Sequence, residues 1–298
     1  MNRGADLSER VSRICIGTAQ FGMSYGITNR HGQVGPAAVS SILARAAGVG
    51  IDTLDTAAAY GDCEAVLGRV GVAGWRVVSK VPPLPESAVD PAVWVLESVE
   101  RSLARLDIPC LYGVLLHQCS DLLGSHGDVI YDALVEARRR GWCRKIGVSV
   151  YGPSDIAAVL QRFQIDIVQS PFSVADRRLA RSGWLGRLHN AGIETHVRSI
   201  YLQGLLLAPK AERPTGFSRW QQLWDSWDQW LQRENVAPIT ACVGFVMAYP
   251  EVGRIVVGVE SLEQLDETLA ACNASFERIP DWISSEDPDL VEPSRWKK

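Results

Sequence analysis

The sequence predicts an α/β chain folded as one closed (β/α)8 TIM barrel over residues 1–298, with long loops after the first and seventh strands and an irregular C-terminal tail. Three observations carry that expectation. Short apolar runs rich in β-branched residues recur eight times, and amphipathic stretches separate them. The repeat fills about 260 residues, the usual length of such a barrel.

The runs are SRICIGT (12–18), IDTLDTA (51–57), RVVSKV (76–81), LYGVLLH (111–117), RKIGVSV (144–150), DIVQSPF (166–172), ETHVRSI (194–200) and RIVVGV (254–259). Between them, VSSILARAA (39–47) and VWVLESVERSLARL (93–106) place apolar residues on one helical face. DALVEARRRG (132–141) ends in the cations and glycine of a helix C-terminus. PSDIAAVLQRF (153–163) opens on a proline with a capping-type serine, and SLEQLDETLAAC (261–272) has the Ser and Gln of a capping box.

Strict alternation implies parallel strands with right-handed crossovers. An open, doubly wound sheet fits less well, because SRICIGTAQFGMSYG does not have the G-x-G-x-x-G spacing. Two connections exceed what a barrel needs: 21–35 after the first strand and 202–250 after the seventh. Both would emerge at the C-terminal face, where barrels place their chemistry. From about Asn273 the chain is rich in Pro, Asp and Glu, which reads as the tail.

Composition excludes several classes. With 47% apolar and 21% charged residues the chain is of ordinary globular make-up, and a net charge of −4 gives no footprint for nucleic acid. The first residues are polar, without an apolar signal core, and no apolar run is long enough for a bilayer. Seven scattered cysteines, with no C-x-x-C pair, imply neither a disulfide framework nor a metal site. A cytoplasmic monomer or small homo-oligomer acting on a small molecule is expected.

DTLDTAAAYG (52–61) carries two aspartates three apart. If IDTLDTA is a barrel strand, Asp52 sits low and Asp55 at its top, with Tyr60 just beyond. Lys80 ends RVVSKV and His117 ends LYGVLLH. Each has an ordinary explanation: a solvated lysine, a core histidine, a packing tyrosine, a helix-capping aspartate. Parallel topology nevertheless brings these strand tops within side-chain reach, and their chemistry fits together. A tyrosine near pKa 10 is a poor proton donor until a lysine ammonium stabilises its phenolate. A carboxylate keeps that ammonium charged, and a neutral histidine orients the substrate oxygen. Such a group can protonate a carbonyl oxygen while hydride reaches the carbon.

Over nearly its whole length the chain resembles the aldo-keto reductase superfamily. The motifs are GIDTLDTAAAYGDCEAVLG (50–68), the lysine of VVSKV, the histidine of VLLHQ, IGVSV, QSPFSVADRR, RSIYLQGLL and VVGVESLEQLDETL. The resemblance implies a tetrad of Asp55, Tyr60, Lys80 and His117, with Tyr60 as general acid/base, reducing an aldehyde or ketone with a nicotinamide dinucleotide or running the reverse. It assigns the dinucleotide to Thr18, Ser149, Gln169, Arg198, Ser199, Leu202, Gly204, Gly258, Ser261 and Gln264. The chain departs from the family pattern at three positions of these motifs. Val150 stands where Asn commonly follows Gly-Val-Ser. Arg198 replaces the aromatic that commonly stacks on the nicotinamide, and Thr268 replaces an Asn of the adenine motif. Family frequency makes NADP the expected cofactor, with NAD the alternative that Glu260 favours, since no Lys or Arg stands in that segment.

The loop after the first strand offers Gln20, Phe21 and Tyr25 as substrate contacts, with Asn29 and Arg30 near, a set suited to a polyhydroxylated or phosphate-bearing molecule. GTAQFGMSYGITN is similar to reductases of sugar and surface-polysaccharide biosynthesis. Trp220, Trp224, Trp227 and Trp230 fall near one helical face, either packed on the barrel or forming a cleft wall or oligomer contact. Two other functions stay open: a catalytically silent nicotinamide-binding regulatory subunit, and a redox-neutral sugar epimerase that uses the cofactor transiently.

Overall fold

The structure is a computed structural model that describes residues 3–86, 89–274, 276 and 279–296, with side chains from residue 7 onward. Eight parallel strands close into a barrel in chain order. They are β1 Ile14–Gly17, β2 Thr53–Asp55, β3 Arg76–Val81, β4 Leu111–Leu116, β5 Cys143–Ser149, β6 Ile167–Pro171, β7 Glu194–Arg198 and β8 Arg254–Gly258. Each lies within the run expected of it or one residue outside. β2 is short because a turn at Ala57 to Tyr60 takes over, although Thr56 and Ala58 still donate to the carbonyls of Val78 and Lys80.

Register puts the chemistry-bearing positions at one end. Gly17 pairs with Asp55 and Gly258, Lys80 with Leu115, and Ser149 with Gln169. Below them Val78, Leu115 and Ile167 fill the interior. Ile167 has its room from two glycines: a Cβ on Gly147 would lie 2.1 Å from the Ile167 carbonyl, and one on Gly113 2.7 Å from its Cδ1. At the bottom Asp52 pairs with Arg76 at 3.3 Å and Arg254 at 3.7 Å, a structural role for the lower aspartate.

Helix ends depart from two expectations. Pro153 occupies the first helical position of Pro153–Arg162, so the cap is Gly152 and not the serine that follows. Asp155 accepts from the backbone N–H groups of Tyr151 and Gly152. Ser261 caps Leu262–Ala271 and accepts from Gln264 N–H, but the Gln264 side chain reaches back to Glu260 N–H at 2.9 Å, one residue beyond a standard capping box.

The helix Gln221–Glu234 buries Trp224, Trp227 and Trp230, with Trp227 and Trp230 stacked 5.7 Å apart. Their indole N–H groups go to backbone, Trp224 to Phe217 and Trp227 to Leu206. None of the four tryptophans lines the cavity described below, so the stripe packs the helix on the barrel. The tail is irregular apart from Pro288–Val291 and a turn at Pro293–Arg295, yet it is fastened down. Arg177 donates to the carbonyls of Ile279 and Pro280, and Ile283, Leu290 and Val291 are buried. Ser275, Glu277, Arg278, Lys297 and Lys298 of that expected tail lie outside the described residues. Among the described residues no helix is long and apolar enough to cross a membrane.

Candidate active site

Asp55 ends β2 and Lys80 stands late in β3, both almost wholly buried. Lys80 Nζ donates to Asp55 Oδ2 at 2.7 Å and to the Thr56 carbonyl at 3.0 Å. The other carboxylate oxygen accepts from Gln169 Nε2 at 2.6 Å, so Asp55 ties β2, β3 and β6 together. Burial acts to lower the Lys80 ammonium, but the Asp55 carboxylate and Tyr60 outweigh it and hold the group above its ordinary value. The lysine therefore stays charged in a dry site.

Tyr60 is placed by a close approach of two loops. Gly61 takes φ +57°, and a Cβ there would lie 2.1 Å from the Gly22 carbonyl oxygen; a Cβ on Gly22 would lie 1.9 Å from the Tyr60 carbonyl. Only glycine at both positions lets the β2 loop sit against the loop after β1. The phenol ring then stands 5.2 Å from Lys80 Nζ and 5.8 Å, edge to face, from the His117 ring. Tyr25 covers its other side at 6.5 Å.

The electrostatics correct one expectation. Burial raises the Tyr60 phenol above its ordinary value, and the Lys80 cation opposes that rise without reversing it. Tyr60 is thus a protonated acid whose ionisation Lys80 makes less costly, not a tyrosine with a depressed pKa. Burial, Lys80 and Arg198 together push the His117 imidazole down to about 4, so it is neutral at physiological pH. Its Nδ1 is buried without a partner.

Tyr60 and Asp55 form one end of a cavity with about 1160 Å³ of open space, its solvent mouth included. Thr18, Arg198, Ser199, Gly204, Gly258 and Gln264 also line it, as do Gln20 and Tyr25. Lys80, His117, Ser149 and Gln169 stand beneath or beside it at the strand tops. Five expected contacts do not line it, Ser149 and Gln169 at the tops of β5 and β6 among them. The short helix Ala19–Gly22 turns Phe21 inward, and the ring is fully buried in the core, which removes it as a substrate contact. Leu202 is likewise buried, and Ser261 is spent on its cap. Gln20 lies against Gly258, where a Cβ would meet its amide nitrogen at 2.7 Å, so it stands on the β8 side of the cavity.

Thr268, expected in the adenine motif, lines it too, and other liners went unforeseen: Thr28, Tyr201, Gln203 and Glu267. Positive φ at Ser199, Leu202, Gln203 and Gly204 makes the loop after β7 a strained segment, as ligand-gripping loops often are. Arg198 packs 4.6 Å over the Tyr151 ring and donates to the Val150 carbonyl at 3.1 Å. Gln169 Oε1 is a buried acceptor without a donor, which suits an amide N–H of a bound molecule.

A family model for the aldo/keto reductase family matches residues 13–279. The chain belongs to that family. Among curated relatives, an uncharacterized oxidoreductase of Bacillus subtilis, YqkF, is 27% identical over 202 residues, 62% of each chain. A 6-dehydroglucose reductase of Novosphingobium aromaticivorans is 24% identical over 268 residues, 84% of each chain. An aldo-keto reductase from Bacillus halodurans, solved in its holo form, superposes with a TM-score of 0.69 at 21% identity over 95% of each chain. That likeness establishes the fold. Aldo-keto reductases in general use a nicotinamide dinucleotide, and the Gln169 amide oxygen, unpartnered among the described residues, and the cavity with Gly17, Gly26, Gly204 and Gly258 in its lining fit one.

Proposed function

We propose that this aldo-keto reductase interconverts a polar, sugar-like aldehyde or ketone and its alcohol with NAD(P)H, with Tyr60 as general acid/base. The observation that carries the reading is the Asp55–Lys80–Tyr60–His117 group, which reaches a cavity lined by Asp55 and Tyr60. A nicotinamide bound there would supply the hydride. Ser149 and Gln169 would hold its carboxamide, Ser199 and Gly204 its phosphates, and Gly258 and Gln264 its far end.

The chain's own residues do the proton chemistry. The Tyr60 phenol is protonated at neutral pH and gives its proton to the carbonyl oxygen as negative charge develops there. Lys80, charged because Asp55 partners it, lowers the cost of the phenolate left behind. Neutral His117 donates to the same oxygen and fixes its direction. Tyr25, 6.5 Å from the Tyr60 ring, and Gln203, which donates to the Tyr25 hydroxyl at 3.2 Å, bring a phenol and an amide to the cavity beside Tyr60, which suits a polyhydroxylated substrate. The relative named 6-dehydroglucose reductase supports the same class.

The test is Tyr60→Phe against a panel of aldoses and oxidised sugars. Turnover should drop by about 10³-fold, while the Kd for reduced dinucleotide stays within about threefold. Undiminished turnover would remove Tyr60 as the acid, and product formed without net cofactor change would point to redox-neutral epimerisation.

A further inference from the structure

The cavity is chemically lopsided. At the Tyr60 end its cationic liner is Arg198, held on Tyr151 and on backbone. On the side that follows β8 the wall is Glu260, Gln264, Glu267 and Thr268. Neither carboxylate is ion-paired with a lysine or arginine among the described residues. The arginines of the neighbouring segments are engaged elsewhere, Arg45 with Asp266 at 2.8 Å and Arg30 with Glu212 at 2.9 Å, and neither lines the cavity. Burial pushes the Glu260 carboxyl up against the opposing pull of His31 and of a hydrogen bond from the Gln264 side chain.

A dinucleotide must put its nicotinamide within reach of the Tyr60 proton, so its adenosine lies at the carboxylate end. An adenosine ribose with free 2′- and 3′-hydroxyls brings two donors to two acceptors. A 2′-phosphate brings about −1.5 to −2 charges to the same place and finds no lysine or arginine. We infer that this protein selects NAD(H) over NADP(H), and that Glu260 and Glu267 are the residues that exclude the 2′-phosphate. The inference rests on the cavity being a dinucleotide site, and it runs against the NADP expected from family frequency.

Tryptophan-fluorescence titration of the full chain with NADH and with NADPH tests it without any substrate. At low salt the NADH Kd should lie at least about tenfold below the NADPH Kd, since each carboxylate–phosphate repulsion across the cavity is worth on the order of 1 kcal/mol. The gap should narrow as ionic strength screens the repulsion. Glu260→Gln should halve the gap or better, and Glu260→Lys with Glu267→Gln should move the ratio toward NADPH by about tenfold or more. NADPH binding as tightly as NADH in the unmodified chain, or a gap indifferent to both substitutions, overturns the assignment. Failure of both dinucleotides to bind overturns the dinucleotide reading itself, a distinct result.

Discussion

Replacing Gly22 by alanine separates the placement of Tyr60 from its chemistry. A methyl at that position would lie 1.9 Å from the Tyr60 carbonyl oxygen, 2.4 Å from the Cys63 nitrogen and 2.5 Å from the Cys63 Cβ. Two of those neighbours are backbone, and Tyr60 O already accepts from Cys63 N–H at 3.1 Å, so no flexible side chain can swing aside. The two loops must part by about 1 Å, and the residue displaced is the one that carries the phenol. A misplacement of that size costs on the order of 10²-fold in rate, or about 2.7 kcal/mol of transition-state stabilisation. Overpacking also destabilises the fold by about 1–3 kcal/mol, a fall in Tm of roughly 2–6 °C that leaves the protein folded. Steady-state kinetics should therefore show kcat down about 10²-fold, with the dinucleotide Kd within about threefold because its far wall is untouched. Gly186→Ala is the control: nothing lies within 4 Å of its added methyl, so kcat should hold and the helix gain roughly 0.5–1 kcal/mol. If Gly22→Ala keeps kcat within about twofold of the parent, the close loop approach does not place Tyr60 and the argument fails.

Two further outcomes follow from the buried groups. Lys80→Met should cut kcat by about 10²–10³-fold and lower stability by about 3–5 kcal/mol, because Asp55 would be left in a dry site without its ammonium partner; denaturant unfolding beside the kinetics would read both. His117, held at about 4 against an unfolded value near 6.5, binds a proton in the unfolded chain but not in the folded one across that window. Stability should thus fall as pH drops from about 6.5 to 4, by up to about 3 kcal/mol from this group, and be fully retained above 6.5. His117→Gln, which cannot titrate, should show a smaller loss in melts at pH 4.5 and 7, and equal losses would contradict the assignment.

Much of this was legible from residue type and order. Strand–helix alternation, with β-branched runs bounded by glycine and proline, is a local signal, and each observed strand falls inside or within one residue of its run. The grouping of Asp55, Tyr60, Lys80 and His117 was legible because a lysine and a histidine at strand ends and an aspartate inside a strand are poor core residues, and parallel topology decides where they meet. What escaped depends on direction. Phe21 and Gln20 are neighbours in the chain, yet one turn of helix sends the ring into the core and the amide to the cavity. Glu267 reads as an ordinary exposed helix residue until the helix is seen to line the groove. The sign of the Tyr60 shift escaped too, since it is a balance of burial against one nearby cation and no pattern of letters weighs those.

The same distinction explains why QSPFSVADRR belongs to the site although most of it never reaches the cavity. Gln169 opens the stretch at the tetrad, donating to Asp55, and Arg178 closes it at the tail. Between them the chain makes a bracket. Arg178 pairs with Asp176 and Glu292 and donates to the Tyr151 carbonyl at 3.0 Å, and the Tyr151 ring carries the Arg198 guanidinium. The cation at the mouth of the cavity is thus held through three contacts to a tail that looks dispensable by composition. A barrel closes its own sheet without such a bracket, so what the tail stabilises is the position of one charged group beside Tyr60. That charge also helps keep His117 neutral and opposes the rise of the Tyr60 phenol. The irregular end of the chain therefore acts on the position of Arg198 from outside the barrel, through the Arg178–Glu292 ion pair, the Arg178–Tyr151 hydrogen bond and the packing of Arg198 on Tyr151.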